Sequence, residues 1–267
     1  MVIIMIRNEL DHPWALCKLG GDIYGISYKN IVSIVILDQV ISISHAPDFI
    51  RSAIDFRDKI IHIIDLRKML GIKSIQEEVS ELTGVLIGRK QDHINWLSEL
   101  MNSVEEKREF KLTTDPHACA FGKWYDFFKT DDLMLKFLLE KFDKPHRKIH
   151  SIGVDVKHLE ESGDYFAAAQ LIAYTKNNEL KEMISLFETL IKEYIESKRE
   201  IVIVLRNDEK TLGIIVDEVI SVEPLLQETG KIIENRMFNS NLFLCIGKRR
   251  KDSNSVVLLN DECFFSL

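Results

Sequence analysis

IVIVLRNDEKTLGIIVDEVISVE, residues 201–223, decides how this chain is organised. Two short runs rich in Ile and Val flank the polar break RNDEK, the mark of neighbouring β-strands. LFLCIG (242–247) and SVVLL (255–259) continue the pattern, with Gly213 and Gly247 as punctuation. Upstream, from about residue 91 to residue 198, no such run occurs. Further upstream the strand signals return from Trp14 as DIYGIS, IVSIVIL and VISIS. A helical or turn segment over 47–55 follows, then KIIHIIDL, and DLRKMLGI reads as a short helical turn closed by Gly71.

The intervening block reads as helices. Ile94, Leu97, Met101 and Val104 recur at steps of three and four after Asp92, a candidate N-cap. Leu135, Leu138, Leu139 and Phe142 mark a second helix over 131–142. A third, capped by Asp143 with Pro145 in its first turn, carries Ile149, Ile152, Val156 and Leu159 until Gly163 stops it. The stretch 164–198 gives a fourth, with a break or bend near Asn177 and Asn178. An even number of antiparallel helices returns the chain to the side it left, and each flanking β segment alone is marginal as a core. The expectation is an α+β, multidomain chain: a β domain in two parts, 1–89 and 199–267, interrupted by a helical bundle over 90–198.

Composition sets limits on function. A net charge of −7 with 46% hydrophobic residues describes a folded chain and argues against a broad nucleic-acid surface. The one basic run, Lys248 to Lys251, reads as a solvated hairpin loop. MVIIMI at the start ends at Arg7, too short for a signal core or a membrane span, which points to a cytoplasmic protein without membrane insertion. Four widely spaced cysteines then imply free thiols. Cys17, Cys245 and Cys263 sit in strand-like stretches and read as small buried hydrophobes. Cys119 differs: HACAFGKWYDFF (117–128) surrounds it with five aromatic rings and a glycine.

Three histidines share the helical block with that thiol. His146 and His150, four apart in HRKIH, stand one turn apart on one helical face, beside the apolar stripe at Ile149. With His93 and Cys119 they form a set suited to tetrahedral Zn²⁺. A His-x-x-x-His pair by itself is also common on solvated helices, and His117 and His158 read as further, peripheral imidazoles. Gly122 permits either a close backbone approach or a turn closed to other residues. Phe121, Trp124 and Tyr125 can bury the metal, Trp96 stands three residues from His93, and Phe127 and Phe128 read as bundle core.

DHINWLSEL, CAFGKWY and HRKIH, in this order, resemble the chemoreceptor zinc-binding domain, CZB. That resemblance implies His93, Cys119, His146 and His150 as zinc ligands, a sensor of zinc or of oxidants such as hypochlorous acid, and a possible homodimer through the insert. The flanking segments LGGDIYGISYKNIVSIV, APDFIRSAIDFRDKIIHIIDLRKMLGI and IVIVLRNDEKTLGIIVDEVISVEPL resemble CheW, the chemotaxis coupling protein. This second resemblance implies two small SH3-like β-barrels and a non-enzymatic adaptor between chemoreceptor signalling tips and a CheA-type histidine kinase. Where that family shows Asn-x-Arg-Gly, this chain has Asp55-Phe56-Arg57-Asp58. Arg57 is thus the carried-over position for partner contact, or else a structural ion-pair partner of Asp65 or Glu218. Gly213 and Asp217 match a structural motif of the family. The alternative, a zinc-dependent or thiol-based enzyme using Cys119, requires an open coordination position or a resolving cysteine, and HRKIH lacks the glutamate of a His-Glu-x-x-His protease helix.

Overall fold

The structure, a computed structural model, describes residues 12–227 and 242–267; MVIIMI lies outside them. It divides into two compact units, Met1–Glu78 with Lys198–Leu267, and Val79–Ser197.

Strands from both sides of the helical block share each sheet of the first unit. Before the block come β1 (Trp14–Leu19), β2 (Asp22–Ser27), β3 (Ile31–Ile36), β4 (Ile50–Asp55) and β5 (Ile60–Asp65). After it come β6 (Ile201–Arg206), β7 (Thr211–Val216), β8 (Glu218–Glu223), β9 (Leu225–Gln227), β10 (Phe243–Arg249) and β11 (Ser255–Leu259). One sheet has the order β8-β1-β2-β11-β10-β9 and the other β3-β6-β7-β5-β4. The hairpins β1–β2, β4–β5, β6–β7 and β10–β11 are antiparallel, and the parallel pairs β2–β11 and β5–β7 tie early strands to late ones. Neither β segment can complete a sheet without the other.

Both faces of β6 and β7 are apolar, which is why 201–205 and 212–216 each read as continuous rather than alternating. Ile203, Leu205, Ile214 and Val216 point into a core shared with Cys17, Leu19, Ile26 and Phe264, which takes side chains from both sheets. Val202, Val204 and Ile215 face the other way, onto Ile54, Phe56, Ile61 and Ile63. In the first sheet Trp14, Leu16, Val256, Leu258 and Leu225 form a separate cluster. Gly213 is mid-strand in β7 rather than a break: a Cβ there would stand 2.5 Å from Ile63 Cδ1 and 2.6 Å from Val202 Cγ1.

Four local expectations are corrected. Residues 50–55 form β4, in which Ser52, Ala53 and Ile54 are all buried, and the turn residues Pro47 and Asp48 just before it mask the strand in sequence. VISIS contributes only an isolated bridge, Ile41 to Ala53. Cys263 lies in the short helix α8 (Glu262–Phe265), and it and Cys245 are half-buried, whereas Cys17 is fully buried. Arg57 pairs with neither Asp65 nor Glu218: it sits exposed at the β4–β5 hairpin tip, its guanidinium 5.0 Å from the Phe56 ring centroid. Arg57 and Asp58 have φ of 55° and 61° between reciprocal Phe56–Lys59 backbone bonds, a two-residue loop in the geometry that Asn-Gly prefers.

A buried ion-pair network of this unit centres on Arg67 in α1 (Leu66–Met69), the short helix expected before Gly71. Arg67 donates to Asp217 at 2.6 and 2.5 Å, to Glu78 at 2.8 Å and to the Lys73 carbonyl at 2.9 Å. Asp217 also accepts from the Gly20 N–H, so its role is structural, as its motif implied.

The helical unit begins within α2 (Ile75–Glu105). The expected start after Asp92 is wrong by 18 residues, 93 against 75: Ser74 and Glu77 form a reciprocal capping box, and Asp92 is mid-helix. Then come α3 (Ala120–Phe127), α4 (Leu133–Glu140), α5 (Asp143–Glu161), α6 (Tyr165–Thr175) and α7 (Lys181–Ser197). The bend near Asn177 and Asn178 is a π-helical turn, Lys176–Leu180, that joins α6 to α7. Asp143 is the first residue of α5, whose N-cap is Phe142. Gly163, at φ 80°, ends that helix, and Asp164 caps the next. The expected stripes are buried, including Leu97, Val104, Leu138, Phe142, Ile149, Ile152 and Val156, around Phe121 and Phe187.

Candidate metal centre

Three elements supply the cluster. His93 comes from the middle of α2, Cys119 is the N-cap of α3, and His146 and His150 lie one turn apart in α5. Each offers one ligand atom, and the four atoms lie within 4.8 Å of one another. Among the described residues this is the one group of three or more His, Cys, Asp or Glu side chains so arranged. The imidazoles meet edge to face: His93–His146 at 5.1 Å, His93–His150 at 5.7 Å and His146–His150 at 4.9 Å between centroids.

Hydrogen bonding assigns the free nitrogens. His93 Nδ1–H donates to the Arg89 carbonyl at 2.7 Å, which turns a bare Nε2 inward. That Nε2 is buried without a hydrogen-bond partner, His150 has only a weak approach to the Thr113 backbone, and His146 Nε2 is 3.2 Å from Cys119 Sγ. Such an orphan costs about 1–3 kcal/mol in a protein interior, so the set fits a cation far better than it fits itself. Tetrahedral zinc bonds of about 2.0–2.3 Å put neighbouring ligand atoms about 3.3–3.6 Å apart, so a small contraction of the cluster would close it.

The electrostatics favour the metal-ready forms of the imidazoles. Burial, then the neighbouring His93 and His150, push His146 down to about 3; burial, then His93, push His150 down to about 4; burial also lowers His93. All three are therefore neutral, with lone pairs available. Burial raises the Cys119 thiol, against the Gly122 and Phe121 N–H groups that lower it. A bound cation would favour the thiolate.

Cys119 is positioned by a loop pinned at three points. Trp96 Nε1–H donates to the Thr113 carbonyl at 2.9 Å, and the Asp115 carboxylate accepts from the His117 N–H at 2.9 Å. Gly122 supplies the third: a Cβ there would stand 1.9 Å from Pro116 O, so of the two roles open to this glycine the close approach applies. Cys119 Sγ lies 3.2 Å from that same carbonyl and accepts from Gly122 N–H at 3.1 Å. Gly153 was not foreseen. A Cβ on it would meet Thr114 Cγ2 at 2.5 Å, a need set by a loop nearly forty residues upstream that no pattern around position 153 signals.

The rings divide into three groups. Phe121 packs edge-on against His93 and His146, at 5.6 and 4.9 Å. Trp96 lies over His150 at 4.8 Å. Trp124 is one ring removed, against Phe121 and Phe128, and Phe127 is 82% exposed instead of core. His117 pairs with Asp126 and His158 with Glu161 at the surface. The rings do not seal the site: a cleft of about 330 Å³ between Trp96, Leu112 and Ala120 reaches His93, Cys119 and His150.

A β unit divided by a helical unit that carries a thiol–imidazole cluster defines a two-unit class of architecture with a candidate metal site in the inserted part. The particular families follow from comparison. Residues 13–99 match the CheW-like domain and residues 93–157 match CZB, the chemoreceptor zinc-binding domain, the two matches overlapping within α2. By these matches the chain is similar to a CheW-like domain over one segment and to a CZB domain over another, each shorter than half of its length. No curated protein matches it. Among solved structures, the scaffolding protein TtCheW from Thermoanaerobacter tengcongensis is 12% identical, covering 93% of this chain and 84% of that one with a TM-score of 0.40. No helix among the described residues is long and apolar enough to cross a membrane.

Proposed function

We propose that this protein is an adaptor coupling chemoreceptor signalling tips to a CheA-type histidine kinase, and that His93, Cys119, His146 and His150 hold a Zn²⁺ that reports zinc or oxidants to that complex. The observation that carries the reading is the convergence of four ligand atoms within 4.8 Å, with His93 Nε2 otherwise left bare. Zinc would hold Cys119 as the thiolate, the form that oxidants such as hypochlorous acid attack. Oxidation to the sulfenic acid removes one bond of four and loosens the elements that supply the rest. The cleft at Cys119 gives a small oxidant its route.

In this reading the β unit is the CheW-like module, each sheet curled about its own small cluster as an SH3-like barrel, and the helices are an inserted CZB bundle of the four-helix kind. The sequence-based junctions after residues 89 and 198 compare with unit divisions at 78/79 and 197/198. Arg57, exposed at its hairpin tip, is the candidate partner contact. The protein works in the cytoplasm and pairs through its helical unit.

The test is binding to a CheA regulatory domain and to a receptor-tip fragment, with wild type and Cys119→Ala compared after zinc loading, chelation and hypochlorous acid. Wild-type binding changes with treatment and the variant's does not. Identical binding under every treatment leaves zinc a structural role only, and no binding to either partner removes the adaptor reading.

A further inference from the structure

Helix α2 is held firmly at its start and at His93, and it is weak in between. At the start, Ser74 N–H donates to Glu77 Oε2 at 2.8 Å, Glu77 N–H returns to Ser74 Oγ at 3.2 Å, and Arg67 holds Glu78. Further on, His93 Nδ1 is tied to the Arg89 carbonyl one turn back, and Trp96, Leu97 and Leu100 are buried. Thr83, Gly84 and Gly88 lie between these anchors.

Neither glycine is demanded by geometry. Both have ordinary helical φ, and a Cβ at either would meet nothing within 4 Å. Each makes local opening of the helix about fivefold easier than alanine would. The Thr83 hydroxyl adds to this by bonding back to the Val79 carbonyl at 2.7 Å, a bond that bends helices and weakens them slightly. Of residues 83–88 only Leu86 is buried.

We propose that residues 83–88 are a soft joint in α2 whose opening is limited by metal held at His93, so that the state of the metal site is passed along the helix towards its capped start. The inference rests on the zinc reading above. His93 would hold a metal through Nε2, and its Nδ1–H···O=C bond to Arg89 would then be strengthened and the turn 89–93 fixed. Opening that starts at the glycines then stops short of that turn. With the metal gone, it runs through 89–92.

Hydrogen exchange measured by mass spectrometry tests this on the full chain, zinc-loaded and chelated, with zinc content determined on the same samples. Wild type is compared with the double variant Gly84→Ala, Gly88→Ala. Chelation is expected to speed exchange at 83–92 by about tenfold or more, beyond any change at 97–104 or in α5. In the chelated state the double variant should exchange about 25-fold more slowly than wild type at 83–92, while still taking up zinc. Equal acceleration across the whole helical unit, no change at 83–92, or alanines that leave exchange unaltered each overturn the joint. A chain that takes up no zinc instead sinks the metal reading, and with it metal control of the joint.

Discussion

Gly122→Ala should disable the metal centre without touching a ligand. The new Cβ would stand 1.9 Å from Pro116 O, 2.9 Å from Pro116 C and 3.0 Å from His117 Cα. All three are backbone atoms, so no side chain can swing aside. Ordinary contact begins near 3.4 Å, so α3 and the 116–119 turn must part by up to about 1.5 Å, the difference between 3.4 and 1.9. Metal ligands tolerate displacements of about 0.2 Å. Cys119 belongs to that turn and takes its hydrogen bond from Gly122 N–H itself, so its sulfur moves with it. Loss of a supporting contact typically lowers metal affinity 10–100-fold, and displacement of the sulfur places this variant at or beyond about 100-fold. The overpacking should also cost about 1–3 kcal/mol of stability in the metal-free protein. Competition titration against a chromophoric chelator gives the affinity and urea unfolding gives the stability. A variant that binds zinc within about threefold of wild type refutes this account of how Cys119 is held.

Three further outcomes probe the β unit. Arg67→Met leaves Asp217 and Glu78 without their cation; it should cost about 2–4 kcal/mol in denaturant unfolding, discounted from a fully buried pair because Glu78 is 40% exposed. Gly213→Ala drives a methyl into Ile63 and Val202 and should cost about 1–3 kcal/mol; an unchanged midpoint would mean that β5, β6 and β7 are not packed as described. Asp58→Gly relieves the left-handed strain at the β4–β5 tip and should stabilise by about 1 kcal/mol, and a loss of stability there would contradict the two-residue loop geometry.

Much of this organisation was legible because its periods are strong. The switch from Ile/Val runs to three-and-four spacing and back marks the divided β unit, and His146 with His150 on one face of α5 follows from four-residue spacing alone. Helix α2 was shortened at its start although Ser74-x-x-Glu77 and the steps Ile75, Val79, Leu82, Leu86 announce it; the strand-like GVLIG with its two glycines hid them. β4 was missed because Pro47 and Asp48 just before it signal a turn, and its consecutive buried residues Ser52, Ala53 and Ile54 give no period of two to read. The close approaches at Gly122, Gly153 and Gly213 depend on residues distant in sequence or fold, and spacing carries no record of those.

Zinc K-edge X-ray absorption on the zinc-loaded full chain tests the central claim most directly. The account predicts one zinc per chain with one sulfur at about 2.3 Å and three imidazole nitrogens at about 2.0–2.1 Å. A shell without sulfur, or one completed by two or more oxygens, would contradict it.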